Sequence, residues 1–236
     1  MENVAQPEPA SEFDAFAADY DAALQKGLAL SGEGKDYFAD GRLRWLARRL
    51  AARGIRPDAV LDFGCGTGSA TPHLFAHLRP RRLTGTDPSE QSLALARQRW
   101  RDYPADFLAA PDPGSAPYDL AYCNGVFHHI APAARAGSLA AIYRSLRPGG
   151  CFAFWENNPW NPVTRYAMSR VPFDRAAVLI WPREARKLLR AAGFLVERTD
   201  YVFFFPRPLA ALRRFEPALS WLPFGGQYLV LARRPG

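Results

Sequence analysis

The 236-residue chain predicts an α/β domain built on a mostly parallel sheet, and two observations carry that prediction. A strand-like run, V-L-D-F, empties into G-C-G-T-G, so that Gly64, Gly66 and Gly68 occupy every second position. A second strand-like run, R-L-T-G-T-D, stops at Asp87, about twenty positions past the glycines, where an acid can accept both hydroxyls of a ribose. Glycine tolerates positive φ and has no Cβ to hold a ligand away, so Gly64 and Gly66 suit a tight turn passing beneath a nucleoside cofactor. The dinucleotide fingerprint G-x-G-x-x-G would place its third glycine at position 69, where this chain has Ser69.

The remaining elements follow in order. Asp62, at the end of the first strand, either fixes the glycine loop or meets a positively charged ligand. Pro88 and Ser89 open the helix E-Q-S-L-A-L-A-R, which leaves Asp87 as a ribose ligand or a helix N-cap. A third strand is expected near Asp106 to Ala110, and a fourth, Y-D-L-A-Y-C, leads into N-G-V-F-H-H-I. A fifth, C-F-A-F-W-E, follows the turn L-R-P-G-G. The helix P-R-E-A-R-K-L-L-R-A-A ends at Gly193, ahead of the strand F-L-V-E-R-T-D-Y-V-F-F-F and a final strand Y-L-V-L-A-R-R. Upstream, F-D-A-F-A-A-D-Y-D-A-A-L reads as an amphipathic helix with Phe13, Phe16 and Tyr20 at helical spacing, and Tyr37 and Phe38 follow a glycine-containing break.

Together these motifs resemble the class I S-adenosylmethionine-dependent methyltransferases of small-molecule type, over roughly Phe13 to Arg234. The matching residues are D-F-G-C-G-T-G, the acid of T-G-T-D-P, Y-D-L-A-Y-C-N-G-V-F-H-H-I and L-R-P-G-G-C-F-A-F-W-E. The resemblance implies a Rossmann-like, seven-stranded, mostly parallel sheet with an antiparallel last strand and helices on both faces. It implies S-adenosyl-L-methionine as cofactor, with Gly64, Gly66 and Gly68 along its methionine and ribose portion and Asp87 on the ribose. Asn124 begins the segment facing the sulfonium, and Asp62, Cys65 and Pro88 complete the cofactor set. The stretch Phe107 to Ala110 would flank the adenine, but lacks the family's frequent Gly-Asp-Ala pattern.

Composition agrees with one domain, since 48% hydrophobic content over this length can bury a full α/β core. Three regions are expected within it: an N-terminal helical cap over 1–56, a cofactor-binding core over 57–156, and acceptor-side loops with the C-terminal strands over 157–236. No apolar run is long enough for a transmembrane helix, and the acidic start M-E-N-V-A-Q-P-E-P is unlike a signal peptide, so a cytoplasmic protein is expected. Cys65, Cys123 and Cys151 lack metal-ligand spacing and read as buried thiols; no metal is implied. The short stretch A-A-P-D-P-G-S-A-P is a proline-rich loop.

A net charge of +7 raises the question of nucleic acid. The densest basic run, Arg42 to Arg53, is amphipathic: Leu43, Leu46, Ala47 and Leu50 share one helical face while Arg44, Arg48 and Arg49 project elsewhere. A sheet-packed helix with a solvated arginine face accounts for it. Nucleobase amino-group methyltransferases often carry Asn or Asp, two prolines and an aromatic after the fourth strand; this chain has Asn124-Gly125-Val126-Phe127 there. Nucleic acid therefore ranks below a small-molecule acceptor.

Methyl transfer from a sulfonium requires alignment more than acid or base chemistry. A hydroxyl acceptor must still lose a proton, and His128, His129 and Glu156 lie at the ends of neighbouring strands where a base can reach it. His129 matches the histidine common in the family's similar H-H-I segment; backbone-bonded helix starts are its structural alternative. Glu156 ends an apolar strand and needs a partner, for which Arg165 or a backbone amide is available. After it, E-N-N-P-W-N-P-V-T-R-Y contains two Asn-Pro steps expected to hold the chain out of regular helix. Asn157, Trp160, Asn161 and Arg165, with Tyr20 and Tyr37 from upstream, are the acceptor-side candidates. The later insertion P-R-P-L-A-A-L-R-R-F-E-P-A-L-S-W-L-P-F-G-G is basic and apolar and should pack helically near the pocket. It suits an apolar or lipid-linked acceptor; a homodimer contact, a cap on the sheet edge or a membrane surface are the alternatives. The function expected is O-methylation of a secondary metabolite, glycan or lipid-linked precursor. An RNA methyltransferase and a noncatalytic cofactor-binding scaffold compete with it; strongly salt-dependent RNA binding, or cofactor binding without any methylated product, would distinguish them.

Overall fold

The computed structural model describes residues 31–111, 117–170 and 177–236. Seven strands form one sheet: β1 Ala59–Phe63, β2 Arg82–Thr86, β3 Ala105–Leu108, β4 Tyr118–Asn124, β5 Leu146–Asn157, β6 Leu195–Val202 and β7 Gln227–Arg233. Their order is 3-2-1-4-5-7-6, with β7 antiparallel to both β5 and β6 and the other pairs parallel. The expected fold class is therefore observed. The order reverses between β1 and β4, so the carboxyl ends of these strands open a crevice, the position at which doubly wound sheets take ligands.

Helices cover both faces. On one, α1 (Lys35–Ala51) and α2 (Thr71–Leu78) bury Leu43, Leu46, Leu50 and Leu74 against Val60, Leu83, Leu120 and Trp155. On the other, α4 (Arg135–Ser145) and α6 (Pro182–Ala191) bury Leu139, Ile142, Ala185 and Leu189 against Leu61, Phe152, Phe154 and Val230. Helix α3 (Glu90–Arg99) packs Leu93 and Ala96 on Phe107. Because β4 and β5 are buried on both sides, their sequences read as continuous apolar runs rather than alternating ones.

Several local expectations change. Tyr37 and Phe38 lie inside α1, which begins at Lys35. The second Asn-Pro step starts a helix instead of preventing one: α5 spans Pro162–Arg170, and Asn161 Oδ1 accepts the Thr164 N–H as its cap. Proline is favoured in the first helical turn because its missing N–H has no intrahelical partner there. The basic insertion forms a 3-10 helix, Arg207–Phe215, and a short α7, Glu216–Leu219, with none of their residues buried. The amphipathic run containing Phe13, Phe16 and Tyr20 falls outside the described residues, as does most of the proline-rich loop.

Helix α1 is fastened by its basic side chains. Asp200, 1% exposed, accepts Trp45 Nε1 at 3.0 Å, Arg49 Nε at 2.9 Å and Arg198 Nη2 at 2.6 Å. Thus Arg49 is an anchor on a buried carboxylate, not part of a solvated face. Arg44 conforms better to expectation, pairing with Asp40 one turn away on the helix surface.

At the opposite edge of the sheet, Asp119 ties the start of β1 to β4. Its Oδ2 accepts the N–H groups of Asp58 and Ala59, each at 2.9 Å, and its Oδ1 accepts Arg147 Nε at 2.5 Å. Partial burial pushes its carboxyl up, but the donors of Ala59, Arg147 and Asp58 outweigh that and hold it below the usual carboxylate value. A depressed carboxyl stabilises the fold above its unfolded pKa and loses that contribution as pH falls through the folded value. Asp119→Asn should therefore cost about 1–2 kcal/mol in urea unfolding at pH 7. The gap to wild type should begin to close as the pH drops below about 4 and vanish only below the lower folded value, where wild-type Asp119 is itself protonated.

Candidate active site

The glycine loop at the end of β1 is a left-handed turn at three points, with φ of +72° at Gly64, +52° at Gly66 and +70° at Gly68. Gly64 is glycine for two reasons, since a Cβ there would collide with Val126 as well as strain the backbone. Gly66 differs: a Cβ on it would meet nothing within 4 Å. Its backbone faces open space, which is where a ligand can approach the chain directly. Cys65 turns the other way. Its thiol lies beneath the loop against Gly85, and burial pushes its pKa well up, so only its backbone is presented upward.

Asp87 links this loop to β2. Its Oδ2 accepts the Gly66 N–H and its Oδ1 the Ser89 N–H, both at 2.9 Å. The cap of α3 is Ser89, whose Oγ accepts Ser92 N–H at 3.1 Å, so Asp87 is not the helix N-cap. Pro88 beside it is exposed. The far wall of the loop is Trp100, whose Nε1 donates to the Thr67 carbonyl at 2.9 Å, with Phe107 buried next to it.

Under the loop lies a charged group that sequence periodicity hid. Asp62 is 3% exposed, and burial, reinforced by the nearby charge of Asp87 and opposed by Arg42, raises its carboxyl to about 7. Arg42 comes from α1, itself buried, donating Nε to Tyr122 Oη at 3.2 Å and Nη1 to Gln227 Oε1 at 2.9 Å. Gln227 in turn donates to Asn157 Oδ1 at 3.1 Å. Burial pushes the Tyr122 phenol up to about 12, which keeps it a neutral partner for the guanidinium. One polar chain therefore crosses the carboxyl ends of β4 and β5 and the amino end of the antiparallel β7, with the charge of Arg42 acting on Asp62 at the end of β1. Arg42 could have been found from its position: it flanks Leu43 on the edge of the apolar stripe, where a long side chain can reach over the sheet.

The histidine pair resolves differently from its sequence reading. His128 is 4% exposed, and its Nδ1 lies 2.5 Å from Glu156 Oε2, while Glu156 Oε1 accepts the Phe127 N–H at 2.9 Å. Glu156 thus finds an imidazole and an amide rather than Arg165, which is exposed on α5. His129 is only half-buried, donates its N–H to the Val126 carbonyl at 3.0 Å, and packs its ring on that of His128 at 4.1 Å between centroids. The His128 imidazole lies beside Gly125, immediately after Asn124 at the end of β4. Val178 N–H donates to the His128 carbonyl, and the buried Arg135 holds the carbonyls of Ile130 and Val178, so two loops are pinned together around this dyad.

The acceptor-side candidates spread over a rim. Asn157 belongs to the polar chain, whereas Asn161 is a cap that also donates Nδ2 to the Phe224 carbonyl at 2.8 Å. Trp160 is 59% exposed and meets Trp181 edge to face at 5.1 Å. Tyr37 packs against Phe38 and Phe203 under the Arg213 guanidinium, and burial raises its phenol. Tyr20 lies outside the described residues.

Comparison with known proteins agrees with this geometry. Residues 61–152 match a family model described as a methyltransferase domain. Trans-aconitate 2-methyltransferase from Azoarcus sp. is 35% identical over 165 residues, 66% of this chain and 62% of that protein. Malonyl-[acyl-carrier protein] O-methyltransferase from Marinomonas sp. is 30% identical, over 60% of this chain and 54% of its own. The chain thus spans about three fifths of the first relative's length. Among solved structures, the N-methyltransferase NodS from Bradyrhizobium japonicum superposes with a TM-score of 0.64 at 15% identity, covering 98% of this chain and 100% of that one, which marks a shared fold. With the glycine turn, the acid ending β2 and the 3-2-1-4-5-7-6 sheet in place, residues 61–152 carry a methyltransferase domain, and the chain is similar to the S-adenosylmethionine-dependent methyltransferases in sequence and fold.

Proposed function

We propose that this protein transfers a methyl group from S-adenosylmethionine to an oxygen atom of a small-molecule acceptor. The observation that carries the reading is the shared edge: the open backbone at Gly66, the Asp87 carboxylate and the His128–Glu156 dyad all stand at the carboxyl ends of adjacent strands. The residues fit the cofactor. Gly66 leaves room for a ligand against the main chain, and the buried hydroxyls of Thr71 and Thr86 beside the loop make no hydrogen bond among the described residues. When bound, S-adenosylmethionine supplies a methyl group already activated on its sulfonium. Asp87 would hold the ribose hydroxyls, Gly64 to Gly68 would line the methionyl and ribose portion, and Asn124 would start the wall beside the sulfonium.

The relatives' names support oxygen as the acceptor atom, one being an O-methyltransferase and another acting on trans-aconitate, a carboxylic acid. For a hydroxyl acceptor, Glu156 as a carboxylate would accept a hydrogen bond from His128 Nδ1–H, fixing the tautomer that leaves Nε2 the basic nitrogen, in the manner of a carboxylate orienting a general-base imidazole. A carboxylic acid acceptor is already ionised at neutral pH and asks only to be aligned. Within this scheme 1–56 caps the site, 57–156 holds the donor, and 157–236 shapes the acceptor side, where Trp160, Trp181 and Phe224 present exposed rings. A secondary metabolite, glycan or lipid-linked precursor matches such a rim. The decisive assay transfers a labelled methyl group into fractionated cell extract and identifies the product by mass; tight cofactor binding with no labelled product would instead favour a scaffold.

Three outcomes follow from the residues. Asp87→Ala should weaken S-adenosylhomocysteine binding at least tenfold by calorimetry, through lost ribose contacts and a loosened Gly66. An unchanged affinity would remove the ribose assignment. With a hydroxyl acceptor at saturating cofactor, His128→Ala should slow single-turnover transfer by about 10²-fold or more, and Glu156→Gln less; wild-type rates in His128→Ala eliminate it as the base.

The third outcome concerns Asp62. Folded, its carboxyl keeps its proton to about pH 7, against about 4 when unfolded. Folding therefore takes up a proton between those values, and this group subtracts stability progressively as pH rises from about 4 to about 7. Asp62→Asn should flatten that slope and melt higher than wild type at pH 8 in the absence of cofactor. A cation bound nearby favours the ionised form, so wild-type affinity for the ammonium-bearing cofactor should rise with pH up to about 7 and level off, a dependence absent from the variant.

A further inference from the structure

Away from the crevice, guanidinium groups gather along the free edge of the sheet. Helix α6 carries Arg183, Arg186 and Arg190 at i, i+3 and i+7, a spacing that keeps them on one face. Strand β6 is the outermost strand, beyond β7. Between the helix and this strand runs an open groove of about 590 Å³, lined by those three arginines with Glu197, Arg198 and Thr199.

The groove's single lining carboxylate is already neutralised. Glu197 is held by Arg53 Nε at 2.9 Å and Arg233 Nε at 3.2 Å. Arg198 turns to the buried Asp200, which Arg49 also engages. Arg186 reaches the Thr199 hydroxyl at 3.4 Å, and neither Arg183 nor Arg190 forms an ion pair with a carboxylate among the described residues. Seven arginines in this cluster thus face two carboxylates, a local excess of five within a chain whose net charge is +7. Arg42 and Arg44 of α1, by contrast, are engaged away from this groove, with Tyr122 and Asp40.

Like charges this close repel within a Debye length of about 8 Å at physiological salt, and a compact multivalent anion relieves several repulsions at once. Guanidinium forks match the tetrahedral oxygens of phosphate bidentately, and Thr199 adds a hydroxyl donor. We propose that the α6–β6 groove is a binding site for a di- or triphosphate group, either free or as part of a larger ligand. Arg183 and Arg190 supply the unpaired forks, Arg186 and Arg198 close the sides, and Glu197 sets an upper limit on affinity by opposing the anion. The site is separate from the donor crevice and does not require the methyl-transfer reading.

The test titrates the whole chain with inorganic tripolyphosphate by calorimetry at roughly 50 and 300 mM salt, below and above physiological screening. Saturable one-to-one binding is expected, weaker at the higher salt. It should fall at least tenfold in Arg183→Ala/Arg190→Ala, tighten several-fold in Glu197→Gln, and leave S-adenosylhomocysteine affinity unchanged in both. Circular dichroism checks that the variants are folded; the exposed double variant alone decides if Glu197→Gln is not. Absence of saturable binding, or wild-type affinity in the double variant, overturns the site. Binding of a short single-stranded RNA without any binding of tripolyphosphate also overturns it, and would assign the groove to a nucleic-acid backbone instead. If tripolyphosphate and a nucleoside triphosphate bind equally, the phosphates alone are recognised; tighter binding of the nucleotide shows a larger ligand carrying them.

Discussion

The structure depends on one carboxylate holding a strained turn open. Asp87 accepts the N–H of Gly66 with one oxygen and that of Ser89 with the other, joining the end of β1 to the start of α3 across the end of β2. Amides in a left-handed turn have few backbone partners, and an acceptor from the adjacent strand supplies one. The main-chain bonds of Gly64 and Cys65 to the Thr86 carbonyl complete the bracket. This fixes the loop's backbone in space before any ligand arrives, which is the form of preorganisation that alignment-driven chemistry needs.

A second layer of the site consists of charges placed where burial governs their state. Arg42 lies over Tyr122 and Gln227 and acts electrostatically on Asp62, yet the carboxyl of Asp62 remains well above its ordinary pKa because burial and Asp87 outweigh that attraction. On the other side of β4, the His128–Glu156 pair is closed by an amide and by loops pinned through Arg135. Donor and acceptor halves consequently differ in kind: the first is held by backbone geometry, the second by side chains on side chains.

That difference decides what could be read from the sequence. The Gly64 to Gly68 turn, Asp87 and the succession of strands along the chain are local or periodic features, and their spacing survives in the primary structure. Arg42 left only a weak trace, its place beside Leu43 at the edge of the apolar stripe, because an amphipathic pattern assigns arginines to solvent by default and it is the three-dimensional reach of α1 over β4 and β7 that brings it inside. The histidines show a related limit. Residues 125–134 follow no regular period, so nothing in H-H-I says which imidazole turns inward; contact with Glu156, 28 residues away, selects His128. Asn161 misled for a simpler reason, since Asn-Pro serves both as a break and as the first step of a helix, and the capping bond to Thr164 belongs to the second use.

The acceptor side carries this logic furthest. Segment 157–164 is bound to segment 223–226 by side-chain-to-carbonyl bonds: Asn158 Nδ2 to Pro223 and Gly225, Asn161 Nδ2 to Phe224, and the Thr164 hydroxyl to Gly226. Each of these bonds spends a side chain on backbone, leaving the intervening rings free of structural duty. Trp160, Trp221 and Phe224 remain largely exposed as a result, Trp221 by 73%. A rim whose backbone is tied by hydrogen bonds but whose aromatic side chains carry no core load can be substituted without loss of fold. Such side chains leave no periodic trace in the sequence, while the glycine turn, built into the end of the sheet, keeps its spacing.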